Sequence, residues 1–123
     1  MKKKTIVAVT IVLLALALAL LLITSYRIAN ISRYIEDGHA YTLELSGYGS
    51  RLHISLTSSY DYMSIKIIVN GKTVYDNPRT YNVNFEYSLG FGYHVIHVII
   101  GNPTILGLGP TIFVSGSISY YLL

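Results

Sequence analysis

The chain has no cysteine and no tryptophan. Without cysteine there are no disulfides, and there is no thiol for a lipoprotein-style anchor. The redox compartment stays open, and stability must come from packing or from assembly with other chains. Charge is also scarce. Only 12% of the 123 residues are charged, against about 25% in an average soluble domain. Lys2, Lys3 and Lys4 account for the whole formal net charge of +3. Beyond them six bases (Arg27, Arg33, Arg51, Lys66, Lys72, Arg79) meet six acids (Glu36, Asp37, Glu44, Asp61, Asp76, Glu86). A nucleic-acid binder needs a basic face to neutralise phosphates, and none is visible in the sequence, so nucleic acid is not expected as a partner. The length allows one domain.

A long apolar run is what the sequence does have. The eighteen residues 6–23 carry no charge, and Thr10 is the one polar residue among them. As a helix they span about 27 Å, close to the roughly 30 Å hydrocarbon core of a bilayer. A secretory signal has an apolar stretch of about 7–15 residues, so the length favours a retained transmembrane anchor over residues 1–25. A cleaved signal is the other reading, although Ile23-Thr24-Ser25 lacks the Ala-x-Ala pattern. Three lysines before the run place the N-terminus in the cytoplasm and the remainder outside, at the cell membrane. Either reading exports residues 26–123.

The stretch RIANISRYIEDG follows. Ile28, Ile31, Tyr34 and Ile35 recur at helical spacing, and Gly38 supplies a stop. This predicts a juxtamembrane helix or stalk over residues 26–38. Its apolar stripe would pack on the chain's own domain or on neighbouring subunits. Asn30-Ile31-Ser32 is the single glycosylation sequon, which makes Asn30 a candidate acceptor.

From residue 39 the period changes from helical to alternating. Tyr41, Leu43 and Leu45 share a parity, as do Leu52, Ile54 and Leu56. Met63, Ile65, Ile67 and Val69 repeat the pattern, followed by Tyr81, Val83, Phe85 and Tyr87, and finally Ile112, Val114, Ile118 and Tyr120. Each segment reads as a strand with one buried side. YHVIHVII is apolar on both parities, as a central strand is. Asn70-Gly71 between two such runs is a hairpin turn, because both residues tolerate positive φ. The expectation is a mainly β fold: an N-terminal transmembrane helix, then an antiparallel β-sandwich of about seven strands over residues 39–123.

The runs IKIIVNGKTVYDN, SLGFGYHVIHVIIGNP and TIFVSGSISYY resemble the small GOLD-like and jelly-roll sandwiches of exported, often archaeal, proteins. That resemblance implies a binding or assembly module and brings no catalytic signature. The plan of basic N-terminus, apolar helix and sandwich is similar to archaeal type IV pilins, which implies a filament or coat subunit. The junction Lys4-Thr5 lacks the small residue of a prepilin cleavage site.

No chemistry is legible. His94 and His97 differ by an odd number, so a regular strand sends them to opposite faces, and His39 and His53 add no ligand spacing. Asp61 and Asp76 read as turn formers rather than calcium ligands. Gly47-Tyr48-Gly49 and Gly90-Phe91-Gly92 open no helix and so cradle no phosphate. Ser115-Gly116-Ser117 lies inside a strand pattern, unlike a nucleophile elbow. No catalytic residue, metal or cofactor is expected, and the chain is not read as an enzyme.

Twelve tyrosines, all after residue 25, are the conspicuous excess. Tyr41, Tyr81, Tyr87 and Tyr120 fall on the inferred inward parity. Tyr48, Tyr60, Tyr62 and Tyr93 lie in or beside expected turns and form a candidate contact surface for sugar rings or protein. The loop NPTILGLGP adds Ile105, Leu106 and Leu108 as apolar contact candidates. A strand at the very end of the chain is expected to offer an edge to a neighbour. The reading is a non-enzymatic accessory or interaction subunit on the membrane, with other protein subunits and the lipid bilayer as partners. A pilin-like filament subunit is the alternative.

Overall fold

The computed structural model describes residues 2–25, 27–103 and 109–122. Its elements are α1 (Lys2–Ser25), β1 (Arg27–Ile35), β2 (Ala40–Ser59), β3 (Met63–Val69), β4 (Lys72–Thr80), β5 (Asn82–Gly101) and β6 (Ile112–Tyr121). The helix is long and apolar enough to cross a membrane, and the window Lys2–Leu20 has none of its surface buried against the rest of the chain.

All six strands join one antiparallel sheet in the order β1-β6-β2-β5-β3-β4. Two of them are twenty residues long, and this length makes one sheet into two layers. Residues 51–59 of β2 pair with β6 and with the first part of β5, and β1 covers the outer edge of β6. Residues 40–49 of β2 pair with the last part of β5, which in turn pairs with β3. The β2–β5 ladder folds over at its middle, where Gly49 faces Gly92 and the next pair is Arg51 with Ser88. Ser50 alone therefore opposes Leu89, Gly90 and Phe91, a bulge that bends the ribbon. The inner faces meet in one core, with Leu52, Ile54 and Leu56 from one layer and Ile65, Ile67, Ile96, Val98 and Ile100 from the other.

The expected seven segments become six strands because the glycine pairs bend strands without ending them. The segments around Tyr41 and Leu52 are both β2, and those around Tyr81 and Tyr93 are both β5.

The stalk helix is corrected: Arg27–Ile35 is strand β1, paired with β6 from Arg27↔Tyr120 to Ile35↔Ile112. A spacing of four fits a strand as well as a helix. Ile31 and Ile35 are buried on one parity, with half-buried Ala29 beside them, while Ile28 and Tyr34 point outward. The terminal-edge expectation is corrected too. β6 lies between β1 and β2, so both its edges are filled, and the free edges belong to β1 and β4.

The sandwich has two distinct ends. At the bend end, the Tyr120 ring packs on Gly49, where a Cβ would come within 2.5 Å of it. Its hydroxyl donates to Gly47 O at 2.6 Å. At the far end, buried Asn102 donates from Nδ2 to Ile35 O at 2.9 Å and to Pro110 O at 2.8 Å. Its backbone N–H donates to His39 O, and its carbonyl accepts from Gly38 N. One amide thus closes the end at which β1, β2 and β5 meet.

Candidate functional site

The bulge that folds the sheet also gathers three exposed aromatic rings. Tyr48 and Tyr93 are cross-strand partners, and their rings meet edge to face at 5.4 Å between centroids. Phe91, thrown outward by the bulge, stacks on Tyr48 at 6.3 Å. All three remain open to solvent, with 49%, 56% and 69% exposure for Tyr48, Tyr93 and Phe91. Tyr48 and Tyr93 are thus strand residues at a bend, where turns were expected. Phe91 was overlooked because the glycines flanking it read as punctuation.

The backbone beneath this cluster is held by His94. Its Nδ1 accepts from Asn70 Nδ2 and its Nε2–H donates to Gly90 O, each at 2.9 Å. Asn70 also accepts from Val95 N through Oδ1 at 2.9 Å. Asn70 and Gly71 form the β3–β4 turn with φ of 50° and 82°, as the Asn-Gly pattern requires. That turn is therefore pinned to the bend.

A second aromatic group lies at the far end. Tyr62 and Tyr81 rings approach to 4.1 Å, and the Arg79 guanidinium lies 4.7 Å over Tyr62. Tyr60, with φ of 81°, projects 73% exposed from the β2–β3 turn. Asp61 shapes that turn, since its Oδ1 accepts from Tyr62 N at 2.8 Å and its carbonyl accepts from Ser58 Oγ at 2.7 Å. Tyr81 is 44% exposed and so belongs to this surface, a correction to its expected place in the core. Tyr120 is fully buried, and Tyr41 and Tyr87 are half-buried against the core. Asp76 also departs from expectation, lying within β4 opposite Lys66.

The outer face of the β1–β6 edge carries exposed Ile28 and Tyr34, and the Tyr34 ring meets Phe113 at 4.8 Å. Asn30 is exposed on the same edge strand. Ile31 and Ile35 are spent on the core. Ile105, Leu106 and Leu108 lie outside the described residues.

The polar groups do not converge. His97 pairs with Glu44 at 3.4 Å on an outer face, and His39 stands 4.0 Å from Glu36. Ser119, His53 and Glu86 form a row across β6, β2 and β5. His53 Nε2, however, is bonded to Asn84 Oδ1 at 2.9 Å, which engages the ring nitrogen a Ser-His relay would use. Among the described residues no three His, Cys, Asp or Glu side chains stand together as a metal site. One hollow of about 230 Å³ lies between Arg51, Glu86, Tyr87 and Tyr121.

No family model matches the chain, and no curated protein matches it. Among solved structures it is similar to the Yersinia pseudotuberculosis-derived mitogen, at 15% identity and TM-score 0.46, over 79% of this chain and 86% of that one. It is also similar to a family two carbohydrate esterase from Clostridium thermocellum in complex with cellohexaose, at 16% identity and TM-score 0.44. That match covers 74% of this chain and 30% of the esterase. A third is the carbohydrate-binding module CBM36 in complex with calcium and xylotriose, at 11% identity and TM-score 0.36, over 76% and 87% of the two chains. At these identities and TM-scores none of them assigns an activity or a ligand to this chain.

Proposed function

We propose that the chain is a non-enzymatic interaction module, held at a membrane by α1 and presenting its sandwich on the extracytoplasmic side as a subunit of a larger assembly. The observation that carries this reading is the division of apolar surface. Among the described residues the core cluster draws on the six strands, while the window Lys2–Leu20 is unburied. A helix with that much apolar surface and no protein to cover it requires lipid or other chains. The far end of the sandwich then stands away from the bilayer with Tyr60, Tyr62, Tyr81 and Arg79 exposed or half-exposed. Tyr and Arg are the residue types that dominate protein contact sites.

The test is a photo-reactive residue at Tyr60 of the full chain in its native membrane. A discrete adduct that is lost in Tyr62→Ser/Tyr81→Ser supports the reading, and an adduct between two copies turns it toward the filament alternative. An absence of adducts from Tyr60 and from a second probe at Tyr34 overturns it.

A further inference from the structure

We propose that the bend end of the sandwich rests on the lipid headgroup surface, with Tyr48, Phe91 and Tyr93 entering the interface and Arg27, Arg51 and Lys72 facing anionic headgroups. This deepens the anchoring reading above and rests on it. It assigns the exposed aromatic cluster to lipid rather than to a protein or glycan partner.

The argument begins with chain connectivity. α1 ends at Ser25 and β1 starts at Arg27, so a single residue joins helix to sandwich. Two virtual bonds reach at most about 7.6 Å. Arg27 pairs with Tyr120, and its guanidinium lies beside Gly47, with Nε 3.4 Å from the position of a Cβ there. Tyr48 is the next residue. The aromatic cluster therefore lies at the end of the sandwich from which the helix leaves, and no long stalk lifts it away. The last residues before Arg27 are Thr24, Ser25 and Tyr26, a polar and aromatic step out of the apolar run, as expected at headgroup depth.

Chemistry points the same way. Tyrosine favours the membrane–water interface because its ring is apolar and its hydroxyl wet, and a phenylalanine among tyrosines adds apolar depth. The three rings are contiguous and all exposed, so they present one apolar patch rather than scattered side chains.

Charge is distributed to match. Arg27, Arg51 and Lys72 are exposed at the bend end: Arg51 pairs with Tyr121, and Lys72 follows the Asn70-Gly71 turn that is pinned to His94. Glu86 is the nearest acid, beside Arg51 in the hollow. Glu36, Asp37 and Asp61 lie at the opposite end, around Asn102 and the Tyr60 turn, with Arg33 over Tyr41 and Arg79 over Tyr62 beside them. The bases outnumber the acid at the bend end and the acids outnumber the bases at the other, so an anionic surface attracts the first and repels the second.

The absence of tryptophan makes the test direct. Phe91→Trp in the full chain, reconstituted into vesicles of mixed zwitterionic and anionic phospholipid, gives one fluorophore at the proposed contact. Tyr60→Trp gives one at the far end, and Tyr93→Trp is a second reporter should Phe91→Trp disturb the bend. Expected are a blue-shifted emission and strong quenching by lipids with a nitroxide near the headgroup for Phe91→Trp and Tyr93→Trp. Tyr60→Trp is expected to stay unquenched and red-shifted. If the chain floats with the vesicles but Phe91→Trp and Tyr93→Trp are as wet as Tyr60→Trp, the seat is overturned and the anchor stands. If the chain does not float, the anchoring reading itself has failed. If Phe91→Trp is shielded from aqueous iodide in native membranes yet wet in protein-free vesicles, the cover is protein and the proposal is wrong.

Discussion

The Tyr120 hydroxyl donates to the Gly47 carbonyl at 2.6 Å, from a ring that lies against Gly49 with no exposure of its own. This contact fastens β6, the last strand, to the bend of the long β2–β5 ladder. Burial pushes the Tyr120 hydroxyl above its ordinary pKa of 10.0, opposed by the backbone near His94. A raised pKa means that the folded chain holds the proton more tightly than the unfolded chain. The resulting stabilisation is complete below pH 10 and is lost as pH climbs through the folded value. Tyr120→Phe should lower stability by about 1 kcal/mol at neutral pH through the lost hydrogen bond. It should also flatten the alkaline decline of the urea midpoint, without abolishing it, because Tyr81 is raised as well.

Asn102 makes a sharper distinction among substitutions. Its Nδ2 serves two carbonyls, Ile35 O and Pro110 O, at a site 4% exposed. Asn102→Ala strands both acceptors and should cost about 2–3 kcal/mol. Asn102→Asp should be worse at neutral pH, because a carboxylate has no proton to give and faces two carbonyl oxygens. Its deficit should shrink as pH falls, since a protonated carboxyl regains one donor. Urea midpoints at neutral and acidic pH for the two variants check the order and its convergence.

Much of this fold is legible from residue spacing alone. Period two across Met63, Ile65, Ile67 and Val69 gave a strand whose inner face is fully or nearly buried. The Asn70-Gly71 turn sits where a positive-φ pair demands it. Two features escaped for physical reasons. Ile31 and Ile35, four apart, satisfy helix and strand equally, and β1 is a strand because β6 offers it an edge, a tertiary fact. Gly47, Gly49, Gly90 and Gly92 read as strand ends, whereas they let two strands bend and continue. The aromatic cluster followed from that second error: Tyr48 and Tyr93 were singled out, but their meeting depends on the β2–β5 register, and Phe91 on the bulge.

Gly116 tests the layer formed by β6 on β2. Its φ is 145°, and a Cβ there would run into the Ser55 carbonyl oxygen and come within 2.9 Å of Leu56 Cα. Both obstacles are backbone of the adjacent strand, so neither can rotate away. Gly116→Ala should cost at least about 3 kcal/mol through combined overpacking and backbone strain. Gly71→Ala, at φ 82° with open space around it, should lose only the strain, about 1 kcal/mol. Denaturation of the two variants side by side measures the steric part as their difference.

The independence of sandwich and helix is open to the same kind of measurement. Among the described residues, the core cluster draws on β1 through β6, beginning with Ile31, and takes none from α1. The Asn102 bonds and the Tyr120 bond likewise join strands to strands. A chain starting at Tyr26 should therefore fold with a urea midpoint close to that of the full chain in mild detergent, because the window Lys2–Leu20 is not buried on the sandwich, although α1 does approach β2. It should cease to float with phospholipid vesicles, since three aromatic rings and a few basic residues bind lipid far more weakly than an eighteen-residue apolar span. A truncated chain that unfolds would show that α1 packs on the sandwich and contributes to its core. One that folds and still floats would locate the membrane affinity in the bend end alone.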